Sequence, residues 1–237
     1  MTAHDDRPPT AGAATQQYTA PTSALAVPAT GPGNAFPATA PGVPLSVFAF
    51  GFAVAVLGLI DTGILNGAAV GMFIAVALGT GAAGLLIGGL WDFRGGNLFA
   101  GTFGVAYALF LFTTGLILKF FAPAIILGAG ANGFSHAFGA WLILWAIFTA
   151  MLAVGARTIN MPAFVAFVLL VAVYAILGVA DLGGSAGWTA TLTKVGGWVA
   201  LTDAVAAWYL GIAILLNTTV GKDMLPLWPY HPAAGER

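Results

Sequence analysis

Four side chains in this sequence could do chemistry deep in apolar surroundings: Asp61, Asp203, His136 and Tyr107. Each aspartate interrupts an apolar run, Leu57-Gly58-Leu59-Ile60 before Asp61 and Ala204–Leu210 after Asp203. An ionisable group in such a run is costly in lipid, which makes it a candidate for a solute pathway or a proton relay. A carboxyl held neutral in the core and hydrogen-bonded to a neighbouring helix accounts for either aspartate equally well. His136 reads more simply as a histidine at a loop edge, and Tyr107 as a packing aromatic whose hydroxyl is satisfied. Nothing in the sequence has metal-ligand spacing, a nucleophile elbow or a Ser–His–Asp set. Cys is absent, which excludes disulfides, thiolate metal sites and a Cys nucleophile. The expectation is therefore not an enzyme, with no cofactor and no metal.

The elements that must position these groups follow from composition. Hydrophobic residues make up 59% of the chain and charged ones 6%, whereas a soluble domain carries about 25% charged residues. So few charges cannot cover a water-facing surface, so lipid is the expected solvent. Net charge is −1, and no basic face points to nucleic acid. A bilayer core about 30 Å thick needs roughly 20 apolar helical residues. Runs of that kind fall near 45–65, 69–91, 98–120, 136–156, 161–180 and 195–216. They lack the alternation of a β-barrel, and helices satisfy their own backbone groups in lipid. The fold class expected is all-α: a polytopic membrane protein with a bundle of six transmembrane helices.

Residues 1–43 are rich in Pro, Ala and Thr and read as a disordered N-terminal tail. Residues 44–220 form the membrane domain, and 221–237 a short C-terminal tail. With both ends inside, inner segments hold Arg7, Arg94, Arg157, Lys222 and Arg237, against Lys119 and Lys194 outside. That bias predicts a plasma-membrane, multi-pass chain with both termini cytoplasmic, and puts Asp61 and Asp203 in the outer half. Trp91, Phe93, Phe120, Phe121, Trp188 and Trp228 fall near span ends, as an interfacial belt would. Short connections at Asn66-Gly67 and Arg157–Asn160 force antiparallel neighbours, while Ala122–Ser135 reads as a longer, Gly-rich connection. Gly84 and Gly88 share one helix face and predict close packing of backbones, with a narrow pore wall as the other reading. Gly79-Thr80-Gly81-Ala82-Ala83-Gly84 spells a dinucleotide fingerprint, but inside a lipid-spanning helix it lacks the strand that motif needs. Asn217-Thr218-Thr219 spells a glycosylation acceptor at a cytoplasmic membrane edge and is likewise set aside.

The order of several segments adds a resemblance. Pro44-Leu45-Ser46-Val47-Phe48-Ala49-Phe50-Gly51-Phe52 resembles the start of the acetate uptake transporter family, whose signature there reads N-P-A-P-L-G-L. The likeness continues through Leu57–Gly63, Trp91-Asp92-Phe93-Arg94-Gly95-Gly96-Asn97-Leu98-Phe99, Trp145–Thr149, Trp198–Leu210 and Asn217–Pro226. It covers roughly residues 44–226. The resemblance implies six helices, a homo-oligomer that is usually a hexamer, and a pathway in each protomer. It also implies an apolar constriction of Phe50, Tyr107 and Leu170, which could gate by dewetting while a tyrosine hydroxyl offers one hydrogen bond to a carboxylate.

This chain departs from the family at several points. Pro41-Gly42-Val43 stands where N-P-A is expected, Ser46 replaces Gly, Ile60-Asp61 stands where many members have His-Asn, and Ile214 where some have Glu. An ionised Asp61 would repel a passing anion by about 4 kcal/mol at about 4 Å under an effective dielectric of about 20. It must therefore be protonated, turned away or paired.

The function implied is a membrane transporter for acetate or a similar small monocarboxylate. Succinate is a second candidate substrate, and Asp61 and Asp203 are candidate proton-coupling or polar pathway residues. The expected partners are a small carboxylate, the lipid bilayer and further copies of the chain. A passive channel or exporter for ammonia or another small solute is the alternative, and a non-transporting membrane scaffold a third. An intramembrane aspartyl enzyme would need Asp61 and Asp203 to meet, in flanking sequence that resembles no protease.

Overall fold

A computed structural model describes residues 40–230; the expected N-terminal tail to residue 39 and the last seven residues lie outside the described residues. The chain is helical. Helix α1 runs Val43–Asp61, α2 Val70–Val76, α3 Ala82–Arg94, α4 Leu98–Leu116, α5 Ala122–Ala156, α6 Met161–Leu182 and α7 Thr189–Val220. A widened π turn, Ala77–Gly81, joins α2 to α3, and a second, Ile117–Phe121, joins α4 to α5. Five stretches among the described residues are long and apolar enough to cross a bilayer: Val43–Asp61, Gly67–Arg94, Leu98–Ala156, Met161–Leu182 and Thr189–Val220.

The third stretch contains both the third and fourth expected spans in 59 residues. As one straight helix it would reach about 90 Å, roughly three times the hydrocarbon thickness. It folds back instead. Tyr107 meets Thr149, and Thr114 meets Trp141, so residue numbers rise on one arm as they fall on the other. Ala122–Ser135, expected as a connection, is helical on both sides of a single break at Gly130, where φ is 76° and ψ 168°. Its Ala, Ile and Leu residues favour helix, and only the glycine takes the conformation that reverses the course.

Close glycine contacts set the helix crossings. A Cβ on Gly104 would stand 2.6 Å from the Gly89 Cα, which brings α3 and α4 into backbone contact. Gly139 and Gly178 do the same for α5 and α6, with 2.7 Å from a Gly139 Cβ to the Gly178 carbonyl oxygen. Gly84 lies against Ala49 and Gly88 against Ser46, so the pair expected to pack does so, on α1. Small residues let helices gain dispersion contacts where lipid supplies no hydrophobic drive.

The start of α1 is tied from a distance. The Gly42 N–H donates to Asp92 Oδ1 at 2.8 Å, so a carboxylate near the end of α3 caps the positive end of α1. At the other end of the chain, α7 stops at Gly221, whose φ of 72° turns the backbone left-handed. Asn217 then holds the return: its Oδ1 accepts from the Met224 and Leu225 N–H groups, and its Nδ2 donates to the Leu225 carbonyl. All six aromatics expected near span ends are exposed.

Candidate solute pathway

A layer of aromatic and aliphatic side chains in the bundle has a cavity on each side. The larger, about 260 Å³, opens at the C-terminal end of α1. Its wall includes Asp61, Phe73, Thr114, Leu170, Tyr174, Asp181 and Thr193. The smaller, about 40 Å³, sits toward the N-terminal end of α1. Its wall is Val47, Phe50, Phe103, Phe167, Leu170 and other apolar side chains, plus one polar residue, Asp203. Leu170 borders both.

The layer between them contains the three residues of the expected constriction. Phe50 is buried on α1, Leu170 on α6, and Tyr107 on α4 is 0% exposed. Seven aromatic rings surround Tyr107, among them Phe50 at 5.7 Å, Phe103 at 5.2 Å and Trp145 at 5.6 Å between centroids. Such a cluster excludes water by its area and by its edge-to-face packing.

The Tyr107 hydroxyl is already committed. Thr149 Oγ1 donates its one hydrogen to the Trp145 carbonyl at 2.6 Å, as a helical threonine reaching back one turn does. In the 2.6 Å contact between Tyr107 and Thr149 the tyrosine must therefore be the donor. Thr149 falls in a matched segment of the sequence, but its link to a residue 42 positions away could not be read there.

The aspartates, expected in one half of the membrane, are separated. Gly197 of α7 lies against Asp61, and α7 runs antiparallel to α1, so Asp203 is six residues farther along. That is about 9 Å of helix rise. Asp61 faces the larger cavity and Asp203 the smaller, with the aromatic layer between. The two do not meet, which removes the geometry an aspartyl enzyme would need.

Asp61 instead has an acidic neighbour, Asp181, on the wall of the same cavity. The expected fifth span stopped at residue 180; α6 continues to Leu182 and carries Asp181 into place. Tyr174 is a second residue missed. It is 4% exposed, its ring is stacked on that of Tyr107 at 6.4 Å, and its hydroxyl has no hydrogen-bond partner among the described residues. Its i+4 spacing from Leu170 was the available signal. His136 stands by the connection after α6, where a Cβ on Gly184 would be 3.2 Å from its Nε2, and is not part of either cavity wall. Among the described residues no group of His, Asp and Glu could hold a metal ion.

Residues 30–226 match the GPR1/FUN34/yaaH family. The succinate-acetate/proton symporter SatP of Escherichia coli K12 is 28% identical over 189 residues, 79% of this chain and 95% of that protein. Acetate permease A of Emericella nidulans is 28% identical over 208 residues, 82% of this chain and 68% of its own length. The ammonia transport outward protein 2 of Saccharomyces cerevisiae is 26% identical over 181 residues, 75% of this chain and 63% of that protein. A solved structure of the bacterial acetate channel SatP superposes with a TM-score of 0.70 at 26% identity, covering 79% of this chain and 98% of that one. The family match runs through all five membrane-length stretches. The chain belongs to the GPR1/FUN34/yaaH family of acetate uptake transporters and channels, multi-pass membrane proteins that are not enzymes.

Proposed function

We propose that this protein carries acetate, or a monocarboxylate of similar size, across the plasma membrane. Succinate is its second substrate, and protons move with the solute through Asp61 and Asp203. The observation that carries this reading is the pair of cavities meeting at one residue, Leu170, with Phe50 and Tyr107 completing the layer between them. A path interrupted by a single apolar layer passes a small solute when that layer yields, and blocks ions by dewetting when it does not. The names of the bacterial and fungal relatives support the choice of acetate and succinate.

Leu98–Ala156 crosses the bilayer twice on this reading, giving six crossings and both termini on one side. The Lys and Arg bias makes that side the cytoplasm. Broad exposure of apolar side chains such as Leu127, Val154 and Leu144 suits a chain that meets lipid and further copies of itself, six by family likeness. Purified full-length protein in proteoliposomes should take up radiolabelled acetate above empty liposomes, faster with an inward proton gradient. Uptake equal to that of empty liposomes rejects the reading.

A passive path for a neutral or cationic solute such as ammonia is a second reading. The acidic pair Asp61 and Asp181 on the larger cavity favours it, because two neighbouring carboxylates would repel an entering anion. Electrical recording separates the two readings: conductance unaffected by a proton gradient favours the passive path.

A further inference from the structure

The tyrosine of the constriction has no proton to offer a solute, because Tyr107 donates to Thr149. Two other polar side chains flank the same layer, and both are unmatched. Asp203 is 0% exposed, and neither of its carboxyl oxygens has a hydrogen-bond partner among the described residues. Tyr174 is buried with its hydroxyl equally unmatched. The two lie within electrostatic reach of each other. Asp203 borders the smaller cavity, Tyr174 the larger, and Leu170, one helical turn before Tyr174, borders both.

Buried polar groups are nearly always hydrogen-bonded, and an unmatched one calls for a missing partner. The surroundings of Asp203 supply none. From α1 it is faced by Val47 and Phe50, and from α6 by Phe167 and Leu170. The titratable groups in reach are Tyr107 of α4 and Tyr174 of α6, and no basic side chain lies on the cavity wall. An ionised carboxylate there would have neither counter-charge nor donor. A carboxyl group that shares a proton with a second carboxyl group, beside a tyrosine O–H, would satisfy all of these atoms.

We infer that Tyr174 and Asp203 form the hydrogen-bonding station for the solute at the apolar layer, and that they take a small carboxyl group together with one proton. The Tyr174 O–H donates to one solute oxygen. A single proton lies between the other solute oxygen and an Asp203 oxygen, so the two carboxyl groups together carry one negative charge instead of two. Asp203 starts neutral; the solute enters as its anion and leaves as the neutral acid with that proton, and Asp203 then takes one proton from water, which returns it to its starting state. This inference rests on the transport reading and assigns to it a residue, Tyr174, outside the expected constriction.

The test uses the full chain in proteoliposomes and, separately, in detergent with sodium acetate as the probe. Tyr174→Phe should raise the acetate KM about tenfold, the loss of one charge-assisted hydrogen bond, with the maximal rate within about twofold. Asp203→Asn should abolish the response of uptake to external pH that the wild type shows. Acetate should raise the melting temperature of the wild type and of Tyr209→Phe, whose exposed hydroxyl serves only the Pro226 carbonyl. That rise should vanish in Tyr174→Phe and Asp203→Asn. Without acetate, Tyr174→Phe should melt no lower than the wild type, because the hydroxyl it loses has no partner; a clear loss of stability would mark it as structural and overturn the station. Where Asp203→Asn fails to fold, Asp203→Ser replaces it. Wild-type uptake with unchanged KM, pH response and acetate stabilisation in both variants overturns the station and leaves the transport reading standing. No wild-type uptake overturns both.

Discussion

The two sides of the aromatic layer treat polar groups in opposite ways. On the wide side, Asp61, Asp181, Thr114 and Thr193 share a cavity of about 260 Å³ with room for water. On the narrow side, Asp203 stands among apolar side chains in about 40 Å³. Carboxylates on the wide side can stay hydrated and act at a distance, by attracting or repelling whatever enters. The carboxyl on the narrow side can act only by contact. Similar residues on three helices are therefore suited to different tasks, Asp61 of α1 and Asp181 of α6 to a field in the wide cavity and Asp203 of α7 to a bond in the narrow one.

The largest test of this contrast removes the step between the sides. Leu170→Trp should fill the shared wall and lower acetate uptake in proteoliposomes about 100-fold, equivalent to about 2.7 kcal/mol of added barrier. Uptake near the wild-type rate would mean that the two cavities are not successive parts of one path. A second test concerns a carboxylate committed to structure. Asp92 is on the α1 N-terminal side too, but it accepts from the Gly42 N–H, so Asp92→Ala should cost about 1–2 kcal/mol of stability. A thermal melt would show it, and an unchanged melting temperature would deny the cap. Third, Thr149→Val would leave the Tyr107 hydroxyl without its acceptor, at about 1 kcal/mol. That too is a melting measurement, and an unchanged melting temperature would mean that this hydrogen bond adds no net stability. The smallest effect belongs to the wide side. Asp61→Asn should speed acetate entry about threefold at low salt and lose that advantage as ionic strength passes about 0.1 M. An Asp61→Asn protein that still responds fully to a proton gradient would remove Asp61 from the coupling route and leave Asp203.

Much of this arrangement was legible in the residues. Run length and missing charge predict the membrane helices: α1 and α6 lie within four residues of their expected bounds, and α7 contains the whole of its expected span and extends beyond both ends. The reversal at Gly130 was hidden because Ala122–Ser135 is nearly as apolar as the arms it joins, so hydropathy marks no edge there. Asp181 lies just beyond the expected end of its span, and helix ends are uncertain by one or two residues. The division between Asp61 and Asp203 depends on the register of α1 against α7, which the Gly197 contact fixes and no local pattern reveals. The Tyr107 proton was the hardest to place. Its direction is decided by a threonine bonding to its own helix, two links away from the tyrosine itself.

Leu170 belongs to the walls of both cavities. A leucine has a small set of staggered rotamers, and Leu170 is buried, so a change of rotamer there needs its neighbours to give way. On the proposed pathway, a change of rotamer at Leu170 would join the two cavities without moving the helices packed together at Gly89–Gly104 and Gly139–Gly178. On that reading, any accumulation of solute would have to come from the proton that travels with the cargo.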